Sequence, residues 1–141
     1  MRTHARAYFC GGDLNPDEVK RRAAASRGGE LIQAVAEDSA DNEFFVEVIA
    51  AQTMRAQASG TLLARKPEVD LLLRLAGTTQ ISKAIREKGA RAGEPFLLVV
   101  AGASRPETVG GVRCTELARR GLSAEELRRI EAAALLNAQR G

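Results

Sequence analysis

"VDLLLRLAGTTQISKAIREKGA", residues 69–90, is the stretch whose reading fixes the architecture. Over 69–76 the residues alternate at a period of two. Val69, Leu71, Leu73 and Leu75 fall on one face, Asp70, Leu72, Arg74 and Ala76 on the other. This pattern predicts a strand with a leucine face in the core and an arginine-bearing face only partly covered. Gly77 stops the run, and an amphipathic helix is expected over about 79–88, closed by Gly89.

The corner between the two has a chemistry of its own. A helix N-terminus presents unsatisfied N–H groups and a positive dipole end, a setting suited to phosphate. Gly77 lets another backbone come close, Thr78 and Thr79 add hydroxyls, and Gln80 adds an amide able to read a base edge. Arg74 and Lys83 are expected to flank the same spot, with Ile81, Ala84 and Ile85 anchoring the helix below. Between Arg65 and Arg91 there are seven bases and three acids, whereas the whole chain carries only +3. Such a local field favours anionic partners. Aromatic residues are 4% of the chain, too few for a stacking platform of the single-strand-binding kind, so bases would have to rest on aliphatic side chains.

Working outward, Arg6–Cys10 reads as a strand stopped by Gly11-Gly12. "NPDE" (15–18) opens a helix, with Asn15 as cap, Pro16 in the first helical position and Glu18 able to complete a capping box. That helix is expected to end near Gly28-Gly29. "ELIQAVA" (30–36) is a second strand, with Ile32, Ala34 and Ala36 opposite Leu31 and Val35. Asp41 or Asn42 caps a helix over 43–58 whose inner face carries Phe45, Val48, Ile49 and Gln52. "PFLLVVAG" (95–102) is apolar on both faces, as a central strand would be. Residues 102–113 read as loop and Thr115–Arg120 as a short helix. "SAEE" (123–126) is a capping box opening a terminal helix to about Gln139. The order predicts one α/β or α+β domain over 1–141, a central mixed β-sheet of at least four strands flanked by helices.

The 141 residues, 45% hydrophobic and 28% charged, suit one soluble globular domain with a real core. Phe96–Ala101, the longest apolar run, is far short of a membrane span, and the N-terminus lacks the apolar segment of a signal peptide, so a cytoplasmic protein is expected. Cys10 and Cys114 make no disulfide framework and are expected as small buried side chains. His4 is the only histidine. No GxSxG elbow, zinc-ligand spacing, P-loop or dinucleotide fingerprint is present, and the carboxylate pairs Asp17-Glu18 and Glu125-Glu126 sit in first helical turns, where the dipole accounts for them. No enzyme, cofactor or metal is therefore expected. The second half of the terminal helix, "AAALLNAQ", carries no charge. Either it is buried in the protein's own core, or it docks a partner through Leu127, Ile130, Ala134 and Leu135.

Arg74, Ala76-Gly77, Thr78-Thr79, Gln80-Ile81, Ala84-Ile85 and Gly89-Ala90, followed by an apolar strand, resemble the signature of the Cgi/TPRKB family. That family is the PRPK-binding subunit of the KEOPS complex, and the resemblance in so compact a chain implies a subunit of archaeal type. The pattern in that family is taken as a strand ending in Arg-x-(Ser/Ala)-Gly, a polar pair, Gln-Ile, and a helix with an Ala-Ile pair. The match covers about 30 residues; the remainder agrees in element order, length and the apolar C-terminal helix. The resemblance implies a non-catalytic subunit that docks on the complex's kinase/ATPase and recruits tRNA by its single-stranded 3′ CCA end for threonylcarbamoyladenosine synthesis. No DNA or membrane partner is implied. By position, the tRNA side would be Arg74, Gly77, Thr78, Thr79, Gln80 and Lys83, with Arg65 and Lys66 touching the phosphate backbone. "DNEFF" (41–45) departs from the family, whose second long helix often starts with a histidine and bases. Two rival readings are a regulatory domain that holds a phosphorylated metabolite at 77–81, and an enzyme acting through Cys114 or a carboxylate.

Overall fold

Residues 69–76 are helical. The computed structural model describes residues 4–27, 31–39, 42–102, 115–116 and 121–140. In it, β1 (His4–Cys10) leads through α1 (Pro16–Arg27) to β2 (Leu31–Ala36), and a 3-10 turn (Glu37–Ser39) precedes α2 (Glu43–Ala58). Then come α3 (Pro67–Ala76), α4 (Ile81–Lys88), β3 (Phe96–Gly102), the two-residue β4 (Thr115–Glu116) and α5 (Ala124–Arg140).

The helix α3 corrects the expected strand, and the reasons are local. Pro67 opens it, Glu68 and Asp70 lie in its first turn, Arg74 lies in its last, and Gly77 ends it in the left-handed conformation at φ 69°. A short leucine-rich run fits either period, and leucine is a good helix former, while only Val69 is β-branched. What breaks the tie is the pair Asp70 and Arg74. Four residues apart, they meet on a helix, and their side chains do meet at 2.7 Å.

The sheet is corrected with it. Among the described residues it has three full strands, all antiparallel neighbours, and not a mixed set of at least four. β3 lies between β1 and β2, in register from His4 opposite Gly102 to Cys10 opposite Phe96, and from Leu31 opposite Ala101 to Ala36 opposite Phe96. β4 adds one short pairing, Thr115 and Glu116 against Phe9 and Tyr8, where a helix was expected. The expected helix end at Gly28-Gly29, the loop over 103–113 and the stretch 117–120 lie outside the described residues.

Each face of the sheet has its own core. One face buries Ala5, Ala7, Leu31, Val35, Leu97 and Val99 beneath α2, α3 and α5. The other buries Tyr8, Cys10, Ile32, Ala34, Leu98 and Val100 beneath α1, through Val19 and Ala23. β2 divides its faces as its sequence predicts. β3 is buried along its whole length, as an apolar central strand should be. Fully burying a side chain such as Phe45 or Leu97 contributes roughly 1.5–3 kcal/mol.

The caps follow the sequence closely. Asn15 Oδ1 accepts from Glu18 N at 3.1 Å, while the Glu18 carboxylate turns to Arg21 and Arg22 and does not close the box. Asn42 Oδ1 accepts from Phe44 N and caps α2. Ser123 and Glu126 exchange both bonds of a capping box, at 3.0 and 3.1 Å. Among the described residues no helix is long and apolar enough to cross a membrane.

Candidate nucleic-acid interface

The 77–80 corner joins two helices. Gly77 N–H donates to Leu73 O at 2.9 Å and Thr78 N–H reaches the same carbonyl at 3.2 Å, closing the last turn of α3. A Cβ at Gly77 would touch nothing within 4 Å. The glycine is required by its positive φ, and the space outside it is open. Thr78 Oγ1 then accepts from Gln80 N–H at 3.1 Å, a local turn that aims the chain into α4. The Thr78 and Gln80 N–H groups are thus used within the corner. The open donors are one step further along: Ile81, Ser82 and Lys83 occupy the first turn of α4, which has neither a side-chain cap nor an acid. Among the described residues no backbone acceptor faces them.

The side chains around this turn are exposed. Thr79, Gln80 and Lys83 all face solvent. Ile81 and Ile85 do too, at 46% and 50% exposure, and only Ala84 is buried. The isoleucines were expected to anchor the helix; Ala84 alone does so, because eight residues give α4 only a narrow inner stripe. Two aliphatic side chains one turn apart therefore stand in water beside three open N–H groups and a lysine. At the far end Arg91 donates to Arg86 O at 2.7 Å, capping the last turn of α4.

Arg74 does not belong to this surface. It is 2% exposed and points into the protein. Its Nε and Nη2 donate to the two carboxylate oxygens of Asp70 at 2.7 and 3.2 Å, and its Nη1 donates to Ala133 O at 3.1 Å. Nη2 also reaches Asn137 Oδ1 at 2.9 Å. Asp70 is itself fully engaged, accepting from Thr53 Oγ1 at 2.6 Å and from Leu63 N–H at 2.9 Å. Asn137 Nδ2 in turn donates to Thr61 O. One buried cluster thus ties α2, the 59–66 connection, α3 and α5 together. Its four-residue spacing was the sequence signal that could have revealed it. Arg65 and Lys66 are exposed at the opposite end of α3, a helix length of ~15 Å from Gly77. The structure therefore gathers Gly77, Thr78, Thr79, Gln80 and Lys83, and sets Arg65, Lys66 and Arg74 apart from them.

Behind the corner, a cavity of about 320 Å³ opens beside Gly77, lined by Ala76, Glu87, Lys88, Arg129 and Ala132 and, from its buried side, by Arg74. Arg129 is held in place: it donates to Ser39 O at 2.9 Å and stacks over Phe45 at 4.5 Å.

The terminal helix is neither wholly buried nor wholly free. Ala133 and Leu136 are buried, and Ile130 packs partly against the core. Leu127 and Leu135 are 51% and 61% exposed, and Ala134 is exposed between them. α5 thus uses one face internally and leaves an apolar outer side.

No protein-family model matches this chain, and no curated protein matches it.

Proposed function

We propose that this chain is a non-catalytic, KEOPS-type subunit that recruits tRNA by its single-stranded 3′ CCA end and docks on the complex's kinase/ATPase, supporting threonylcarbamoyladenosine formation in the cytoplasm. One observation carries the reading: the acid-free, uncapped first turn of α4, opening to solvent behind Gly77 and flanked by Lys83, Ile81 and Ile85. Three N–H groups and a helix dipole suit a phosphate. Lys83 adds a full charge. The exposed isoleucines provide the aliphatic bed that unstacked bases need in a chain with few aromatics. Arg74 has no part in this surface. Partner docking falls to Leu127, Ala134 and Leu135, with Ile130 at the rim of the packed face; exposed apolar side chains of this kind are what a protein partner covers.

The test is tRNA binding by the isolated chain, with and without the 3′ CCA. Removing CCA should weaken wild-type binding and add little to the loss caused by Lys83→Glu, because the two remove one shared contact. With about four phosphates neutralised on single strand, the log–log salt slope should be near −3. Independent, additive losses would place the RNA end elsewhere.

A second reading has its own observation. The cavity beside Gly77 reaches the lower size range of small-ligand sites, so the corner could serve a phosphorylated metabolite. A flat salt response together with nucleotide-sized ligands binding as well as the CCA oligonucleotide would favour it.

A further inference from the structure

The groove between α1 and α3 has a chemistry the corner does not explain. Lys20 and Arg21 line it from α1 and Lys66 from the start of α3, over a floor that includes Ile32 and Val69, and its volume is about 830 Å³. Lys66 adjoins exposed Arg65. Asp17 and Glu68 also line the groove, but each lies in the first turn of its helix, where the dipole already favours a negative charge. Lys20 and Lys66 have no ion-pair partner among the described residues. Arg21 pairs with Glu18 at 3.0 Å in the open, with side chains 77% and 49% exposed, a contact weak enough to be exchanged for a better anion.

The floor argues about the kind of ligand. Gln33 is the uncharged polar residue of the floor, and each end of its amide is bonded inside the protein: Oε1 accepts from Ala34 N–H at 2.9 Å and Nε2 donates to Glu68 O at 3.2 Å. That arrangement plugs the outer edge of β2. Both polar ends of the amide are thereby tied to the backbone, and Gln33 is almost wholly buried, so it offers the groove little with which to read a base. The rim carries Lys20, Arg21 and Lys66 against Asp17 and Glu68, with exposed Arg65 adjoining, and this excess of long cations suits a repeating anion held by charge and not by sequence.

We infer that this groove is a second RNA contact, taking the phosphate backbone of a double-stranded stem whose single-stranded 3′ end continues to the α3–α4 corner; it rests on the RNA-recruiting reading above. α3 lies between the two sites and sets their separation at ~15 Å. That is too far for one phosphate to serve both and within reach of a stem and its tail. The corner grips the end, and the groove fixes the direction from which the stem arrives.

The experiment compares two RNAs on the full chain: a stem-loop ending in a single-stranded CCA tail, and the tail alone as an oligonucleotide. Lys20→Gln with Arg21→Gln removes two positive charges without placing new acids beside Asp17. Arg128→Glu on α5 changes the net charge equally at a distance from the groove. The double variant should bind the stem-loop about tenfold more weakly, with a salt slope shallower by about 2, while binding the tail alone as wild type does. Arg128→Glu should change neither. Circular dichroism would check that α1 remains folded. Unchanged stem-loop affinity and slope would overturn the groove assignment and leave the corner standing. An equal loss for both RNAs would overturn it as well, since the groove would then not be a separate contact. A variant that keeps the RNA but loses binding to a polyglutamate peptide would overturn it in favour of an acidic protein segment. Failure of the wild-type chain to bind either RNA would remove the RNA-recruiting reading itself, and this inference with it.

Discussion

Helices α3 and α4 are separated by a few residues and treat their charges in opposite ways. α3 turns Asp70 and Arg74 inward, where both are almost inaccessible, and every nitrogen of the guanidinium donates to the protein. α4 holds Lys83 and Arg86 in water and exposes even its isoleucines. The difference teaches that a basic residue near an open helix start is not thereby part of a binding surface. A guanidinium has five donors in a fixed fork, and when carboxylate, carbonyl and amide oxygens converge on it, burial satisfies it better than a ligand would. A lysine on a short helix with one buried residue has no such alternative.

The largest effect should come from breaking the inward side. Arg74→Ala leaves the buried Asp70 side chain without its partner and should cost about 3–5 kcal/mol, measured by urea unfolding. Any loss of RNA binding should then track the unfolded fraction. A stable Arg74→Ala protein that no longer binds tRNA would erase the contrast between the helices.

Next in size is the outer side of α5, whose inner side Arg74 helps to hold. Leu135→Glu places a charge where the folded chain is open, so its own stability should change by less than about 0.5 kcal/mol. In the proposed complex the same charge would be buried, and binding to the kinase/ATPase subunit should fall by several kcal/mol, as read by calorimetry. Normal binding by both Leu135→Glu and Ala134→Glu would take that side of α5 out of the interface.

Gly77 lies at the boundary between the two helices. Its φ of 69° with nothing around a would-be Cβ predicts that Gly77→Ala costs roughly 1–2 kcal/mol through backbone strain alone. Gly77→Asn should recover part of that, because asparagine tolerates the left-handed region. Equal costs for the two variants would point to a steric role for the glycine instead.

The smallest stability effect belongs to the outward side. Lys83→Glu and Ile85→Ser should each shift the unfolding free energy by no more than about 0.5 kcal/mol, yet both should weaken binding of the CCA oligonucleotide. Only the lysine variant should also flatten the salt dependence. A stability loss at Ile85 above about 1 kcal/mol would mean that α4 is anchored by more than Ala84.

Much of this molecule is legible in the sequence because its signals are local. Asn15, Asn42, Ser123 and Glu126 cap the helices they were expected to cap, since capping needs only a side-chain oxygen two or three residues from a free N–H. β2 and β3 show their burial in their side-chain pattern. The corner at 77–83 was also visible, because a glycine, two threonines and a base-rich amphipathic segment are adjacent in the chain. Three things were decided by tertiary structure. Residues 69–76 fit a strand or a helix equally well by apolar pattern, and the choice went to the conformation that lets Asp70 and Arg74 meet while Thr53, Leu63, Ala133 and Asn137 converge on them from distant parts of the chain. The strand count followed from that choice, leaving β1, β2 and β3 as the full strands of the sheet. The fate of each base was decided in the same way: composition placed Arg65, Lys66, Arg74 and Lys83 in one positive segment, and only packing could send one into the core, two to the far end of α3, and one to the open turn. Charge is a property of the residue, but whether it meets water, a carboxylate or a ligand is set by what the rest of the chain folds against it.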